Sequence, residues 1–167
     1  MSGISLGIIG GGQLGSMLCA AAKKLDVKTT IYCDDIDAPA QNFCDEFIVS
    51  GYDNKEKIFE FINKVDLITY EFENIPYDTL NEINKLKPVL PKPSVNRLIQ
   101  HRLAEKDFIN KLNIRTTRYV SIEKKSDIET LEDFLPGILK TTTMGYDGKG
   151  QHPIKKIEDL ESLNIDF

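Results

Sequence analysis

The chain has 167 residues, enough for one domain or for one domain and part of a second. A hydrophobic content of 41% supports a buried core, while a net charge of -5, from 21 basic and 26 acidic side chains, excludes a general nucleic-acid binder. Three cysteines without metal-type spacing read as reduced thiols, and no signal-peptide pattern or apolar run near the ~20 residues of a membrane span is present, so a cytoplasmic protein is expected.

In chain order, Ile4 to Ile9 is a short apolar run ending in glycines and reads as a buried strand. Leu14, Met17, Leu18, Ala21, Ala22 and Leu25 follow at helical spacing and form one apolar stripe. Val27 to Tyr32 and Glu46 to Val49 read as strands two and three, separated by a turn-like Asp35 to Gln41. Asp53 with Glu56 resembles a capping box for a helix carrying Ile58, Phe61, Ile62 and Val65. Asp66 to Tyr70 is strand four, Pro76 starts a helix with the stripe Leu80, Ile83 and Leu86, and Pro88 to Leu90 is a brief fifth strand. This alternation predicts a parallel α/β sheet with right-handed crossovers.

The pattern changes after Pro91-Lys92-Pro93, which sets domain bounds of 1–93 and 94–167. Beyond it the sequence predicts one polar helix from Ser94 to Leu112 and a strand from Arg118 to Ile122. A Ser126–Glu129 capping box, strands at Gly137–Lys140 and Gln151–Ile154, and the start of a last helix complete the chain.

Two glycine-rich stretches carry the functional signal. Gly10-x-Gly12-x-x-Gly15 follows the first strand and opens the first helix; its glycines permit a tight turn, close approach of a phosphate and close helix packing. Asp34, about twenty residues on, stands where a nicotinamide-binding fold places its ribose-binding acid, or is a solvated strand end. Gln13 is either a ligand-binding amide or an exposed helix residue. Tyr70-Glu71-Phe72-Glu73-Asn74 gathers acceptors at a strand exit, where open parallel sheets bind ligands. The second stretch, Met144 to Gln151, reads as a flap over polyphosphate or as a hairpin turn, and Lys140 before it as a phosphate ligand or a snorkelling surface lysine. His101 and His152 have no partners at metal or triad spacing and read as surface residues.

Taken together, Gly10–Gly15, Tyr70–Ile75, Arg102-Leu-Ala-Glu-Lys-Asp-Phe108, and Lys140 with Gly145–Gln151 resemble the ATP-grasp ligases of purine biosynthesis, in order and separation across the chain. Among these the chain is most similar to the enzymes that carboxylate aminoimidazole ribonucleotide. The resemblance implies a Rossmann-like parallel sheet (a pre-ATP-grasp domain) followed by an incomplete ATP-grasp small subdomain. It implies conversion of ATP, aminoimidazole ribonucleotide and bicarbonate to the carboxyamino ribonucleotide, ADP and phosphate, with Mg2+ bridging the phosphates and a homodimer for the longer enzyme. By the same resemblance Arg102 and Lys140 contact ATP, and Gly145, Tyr146, Asp147, Gly148, Lys149, Gly150 and Gln151 close over its triphosphate. Gly12, Gln13 and Leu14 meet the 5′-phosphate end of the ribonucleotide, and Glu71, or secondly Glu73, holds its ribose or amine. Such enzymes continue well past this length, and their catalytic residues and magnesium ligands are expected beyond residue 167, so the chain reads as an N-terminal fragment inactive by itself.

The alternatives are a formate-dependent glycinamide ribonucleotide transformylase of the same architecture, an NAD-dependent oxidoreductase using Asp34, and a non-catalytic nucleotide-binding module.

Overall fold

A computed structural model of the chain describes residues 3–124, 126–127, 131–145 and 148–163. Contacts divide it into two units, Met1–Arg97 and Leu98–Phe167.

The first unit is a parallel sheet of four strands, β1 (Ser5–Ile9), β2 (Lys28–Cys33), β3 (Glu46–Val49) and β4 (Leu67–Tyr70), in the order β3-β2-β1-β4. Between them run the helices α1 (Gln13–Lys23) and α2 (Lys55–Asn63), and α3 (Tyr77–Leu86) follows β4. The two-residue side-chain period of the strands feeds two cores. Ile8, Ile31 and Cys33 pack with Cys19 of α1 on one face. Ile9, Tyr32, Ile48 and Ile68 pack on the other with Phe61 and Ile62 of α2 and Leu80 and Ile83 of α3. Gly7 of β1 has no room for more: a Cβ there would lie 2.6 Å from the Phe61 ring. Asp66 ties the start of β4 to β1 by accepting from the Ser5 N–H (2.9 Å) and hydroxyl (2.8 Å), which hold its carboxyl below its ordinary value.

Several expectations from the sequence are corrected. The apolar stripe of α1 does not face the core: Leu14, Met17 and Leu25 are more than half exposed, and the buried face is Gly15, Ser16, Cys19 and Ala22. These small residues recur at the same helical spacing and let α1 lie close to the sheet, but they add little hydropathy to a stripe count. The N-cap of α2 is Asn54, whose side chain accepts from the Lys57 N–H at 3.1 Å, rather than Asp53. Pro88–Leu90 forms a single parallel bridge, Val89 to Ile68, instead of a strand. The polar helix is two helices, α4 (Pro93–Ile99) and α5 (Arg102–Lys111), because extended His101 breaks it and caps α5, its Nδ1 accepting from the Ala104 N–H at 3.4 Å.

The second unit contains α5, the antiparallel pair β5 (Gly137–Lys140) and β6 (Gln151–Ile154), and the short helix α6 (Ile157–Glu161). Asp159 caps α6 by accepting from the Lys155 and Lys156 N–H groups, which hold its carboxyl low. Residues 118–122 form no strand; among the described residues the sheet of this unit has only β5 and β6, so the segment lacks a ladder partner there. Glu129 of the expected capping box lies outside the described residues. The core here is small: Leu131, Ile154 and Leu160 are buried, with Ile122, Phe134 and Leu139 packed against them.

Among the described residues, no helix is long and apolar enough to cross a membrane. All three cysteines are free, and burial pushes each thiol up, away from the reactive thiolate.

Candidate functional site

The strand order places a switch point between β1 and β4, since the chain leaves β1 toward β2 and later crosses back to β4. The loops after these two strands must part there, leaving a crevice at their carboxyl ends. The Gly10–Gly15 turn forms one side. Gly10 has φ +105°, in the region that favours glycine, and its N–H donates to the Tyr32 carbonyl at 2.9 Å. Gly11 is hemmed in by Ala38 and the Cys33 thiol, where a Cβ would come within 2.7 Å and 2.8 Å.

Glu71 forms the other side. Its backbone N–H continues the β4 to β1 ladder to the Ile9 carbonyl (3.0 Å), and its Oε1 accepts from the Gly12 N–H at 2.8 Å. A Cβ on Gly10 would lie 2.7 Å from the same oxygen. The carboxylate therefore lies over the glycine turn, at the start of a helix that has no acidic residue of its own in its first turn. Gln13 and Leu14 begin that helix and are exposed, and Glu73 is exposed two residues beyond Glu71.

Two neighbours were missed in the sequence. Tyr52, just after β3, is half-buried; burial and then the Asp34 carboxylate push its phenol up, with a smaller contribution from Glu71. Asn96 of α4 is fully buried and donates from Nδ2 to the Ile75 carbonyl at 3.2 Å, pinning the segment that carries Glu71 and Glu73. Neither has a spacing signal; each is brought in by the packing of an element distant in sequence.

In the second unit, a cavity of about 640 Å³ is lined by Arg102, Lys106, Arg118 and Lys140 over an apolar floor that includes Leu131 and Ile154. Arg118 stacks on the Phe134 ring at 4.8 Å, and Lys106 on the Tyr119 ring at 5.4 Å. Arg102 and Lys140 line one cavity, together with Lys106 and Arg118, which the sequence reading did not single out. Lys140 pairs with Gln151 across β5 and β6, so the glycine-rich stretch is the connection of an antiparallel hairpin. Its base is closed by the Thr141 N–H donating to the Gly150 carbonyl at 2.9 Å. Arg102 is fixed to it at two points: its N–H donates to the Thr142 carbonyl (2.8 Å) and its Nη2 to the Gly145 carbonyl (3.4 Å). Its Nε is buried and has no partner among the described residues, a donor that an anionic ligand would satisfy. Gly148, Lys149 and Gly150 form the turn; Tyr146 and Asp147 lie outside the described residues. His152, on β6, is exposed. No group of three or more His, Cys, Asp or Glu among the described residues could hold a metal ion.

Comparison with known proteins gives the same two-part division. Residues 3–100 match the family model of the ribonucleotide synthetase preATP-grasp domain, and residues 107–165 that of the ATP-grasp domain. The chain is 36% identical over 167 residues to an N5-carboxyaminoimidazole ribonucleotide synthase of Brucella melitensis, an alignment covering 97% of this chain and 45% of that enzyme. It is 40% identical over 161 residues to the bifunctional purine synthesis protein purC/E of Dictyostelium discoideum, covering 95% of this chain and 16% of that protein. In structure it resembles the N5-carboxyaminoimidazole synthetase of Staphylococcus aureus complexed with ADP, with a TM-score of 0.86 and 35% identity over 95% of this chain and 43% of the other. The chain thus spans less than half the length of these relatives.

Proposed function

Since the chain belongs to the ribonucleotide synthetase preATP-grasp family, we propose that it supplies the ribonucleotide-binding domain and part of the ATP-binding domain of an N5-carboxyaminoimidazole ribonucleotide synthase. In that reaction ATP phosphorylates bicarbonate to carboxyphosphate. The exocyclic amine of aminoimidazole ribonucleotide then forms the new C–N bond to the carboxyl carbon, directly or through released carbon dioxide, as phosphate leaves and the amine loses a proton. Mg2+ bound with the nucleotide would offset charge on its phosphates.

The observation that carries this reading is the pairing of two different sites on one chain. The crevice after β1 and β4 offers a fixed carboxylate, Glu71, to the ribose hydroxyls or amine of the ribonucleotide, with Gln13 and Leu14 beside it and Glu73 as a second acceptor. The cavity of the second unit offers cations and an apolar floor, a combination that suits a nucleotide. Arg102 and Lys140 neutralise phosphate oxygens there, while the hairpin connection Gly145 to Gln151 covers them. An NAD-dependent oxidoreductase would use the first crevice and leave these cations without a role. Bicarbonate as carboxyl donor and a homodimer of the longer enzyme belong to the same proposal.

Thermal unfolding of the purified chain tests it. Aminoimidazole ribonucleotide is expected to raise the melting temperature of the wild-type chain and raise it less in Glu71→Ala; ATP is expected to raise it in the wild type and less in Lys140→Ala. A rise with NAD that Asp34→Ala abolishes would overturn the reading in favour of a dehydrogenase.

A further inference from the structure

We propose that the Gly10–Gly15 turn holds the protein's own Glu71 carboxylate instead of a ligand phosphate, and that this makes the crevice selective for hydrogen-bond donors. Glycine-rich turns that open a helix ordinarily present free N–H groups to an anion. Here the Gly12 N–H is taken by Glu71 Oε1 at 2.8 Å. The same oxygen sits so close to Gly10 that a Cβ there would be 2.7 Å from it, so the carboxylate occupies the space over the turn that a ligand oxygen would need. The arrangement is built rather than incidental. The Glu71 backbone is tied into the sheet by its bond to the Ile9 carbonyl, and Asn96 anchors the following segment at Ile75. Glu71 also supplies the negative charge that α1 lacks in its first turn.

A phosphate on the remaining N–H groups at the start of α1 would stand beside this carboxylate, and like charges at such range repel. Glu71 Oε2 accepts no hydrogen bond among the described residues, so the group that suits it is a hydroxyl or an amine. Given the ribonucleotide reading above, on which this orientation rests, the sugar or amine end meets the turn and the 5′-phosphate lies away from Gly12. That revises the expectation that Gly12, Gln13 and Leu14 receive the phosphate.

The test is a titration of the 15N-labelled chain with inorganic phosphate, following the Gly12 amide resonance. In the wild type the resonance should stay unmoved, whereas Glu71→Ala should gain a saturable shift, with phosphate bound about tenfold or more tighter than by the wild type. Glu71→Gln, isosteric and neutral, should gain part of that shift and serves as the readout if the alanine variant does not fold. A wild-type Gly12 resonance that saturates with phosphate as the variants do would overturn the proposal, and so would variants that gain no shift. The titration uses neither ATP nor aminoimidazole ribonucleotide, so its failure and a failure of ribonucleotide binding are separate results.

Discussion

The first unit seals its sheet on both faces, whereas the second rests on a far thinner core. Around β1 to β4 the buried set includes Phe61, Leu80, Ile83 and Ile68 on one face and Ile8, Ile31 and Cys19 on the other. In the second unit the buried hydrophobics among the described residues are Leu131, Ile154 and Leu160, and α5 buries none of its residues. The sites differ in the same way. Glu71 is held by the β4–β1 ladder, and the segment after it by buried Asn96. Arg102, Lys106, Arg118 and Lys140 stand on one short hairpin, one helix and an irregular segment. Where a site borrows its order from a core, its geometry is set by the fold; where the core is thin, the ligand itself must supply more of that order.

That contrast can be broken by mutation. Phe61→Ala should destabilise the first unit by about 3–5 kcal/mol, because a fully buried ring packed on both Tyr32 and Gly7 leaves a cavity that cannot collapse. Leu131→Ala should cost about 2 kcal/mol, the low end for such a truncation, since most of the hydrophobics packed around that small core are only partly buried. Urea unfolding followed by far-ultraviolet circular dichroism measures both, and equal costs would contradict the comparison.

A smaller effect separates the units by pH. The Asp66 and Asp159 carboxyls are both held below their ordinary value of 3.8 by N–H donors, with the Ser5 hydroxyl added for Asp66. A depressed folded pKa contributes stability above the unfolded pKa and loses it as pH falls through the folded one. Asp66→Asn should therefore flatten the loss of stability below about pH 4 for the first unit, and Asp159→Asn for the second. Both groups are exposed, so each change is slight. Acid unfolding curves indistinguishable from wild type would show that these caps contribute nothing.

The strands of the first unit were legible because each is a short β-branched or apolar run ending in turn residues, and Glu46–Val49 begins and ends where the pattern does; in the second unit Gly137–Lys140 and Gln151–Ile154 also keep the bounds read from the sequence. The face of α1 was not, because Gly15, Ser16, Cys19 and Ala22 win their burial by size and not by hydropathy. The break at His101 was hidden because histidine is an uncommon N-cap. In the candidate sites, Gly12, Glu71 and Lys140 stand in or beside the glycine-rich and strand-exit motifs that the sequence shows. The contact between Gly12 and Glu71 spans 59 positions and follows only from the order β3-β2-β1-β4. Tyr52, Asn96, Lys106 and Arg118 reach their sites in the same indirect way.

The most direct test of the central claim, two ligands on two units, is backbone amide mapping of the labelled chain with each ligand in turn. Aminoimidazole ribonucleotide should perturb Gly12, Gln13, Leu14 and Glu71, while ATP should perturb Arg102, Lys140 and the described residues between Gly145 and Gln151. ATP perturbing Gly10 to Gly15 together with Asp34, with the hairpin unmoved, would contradict the account.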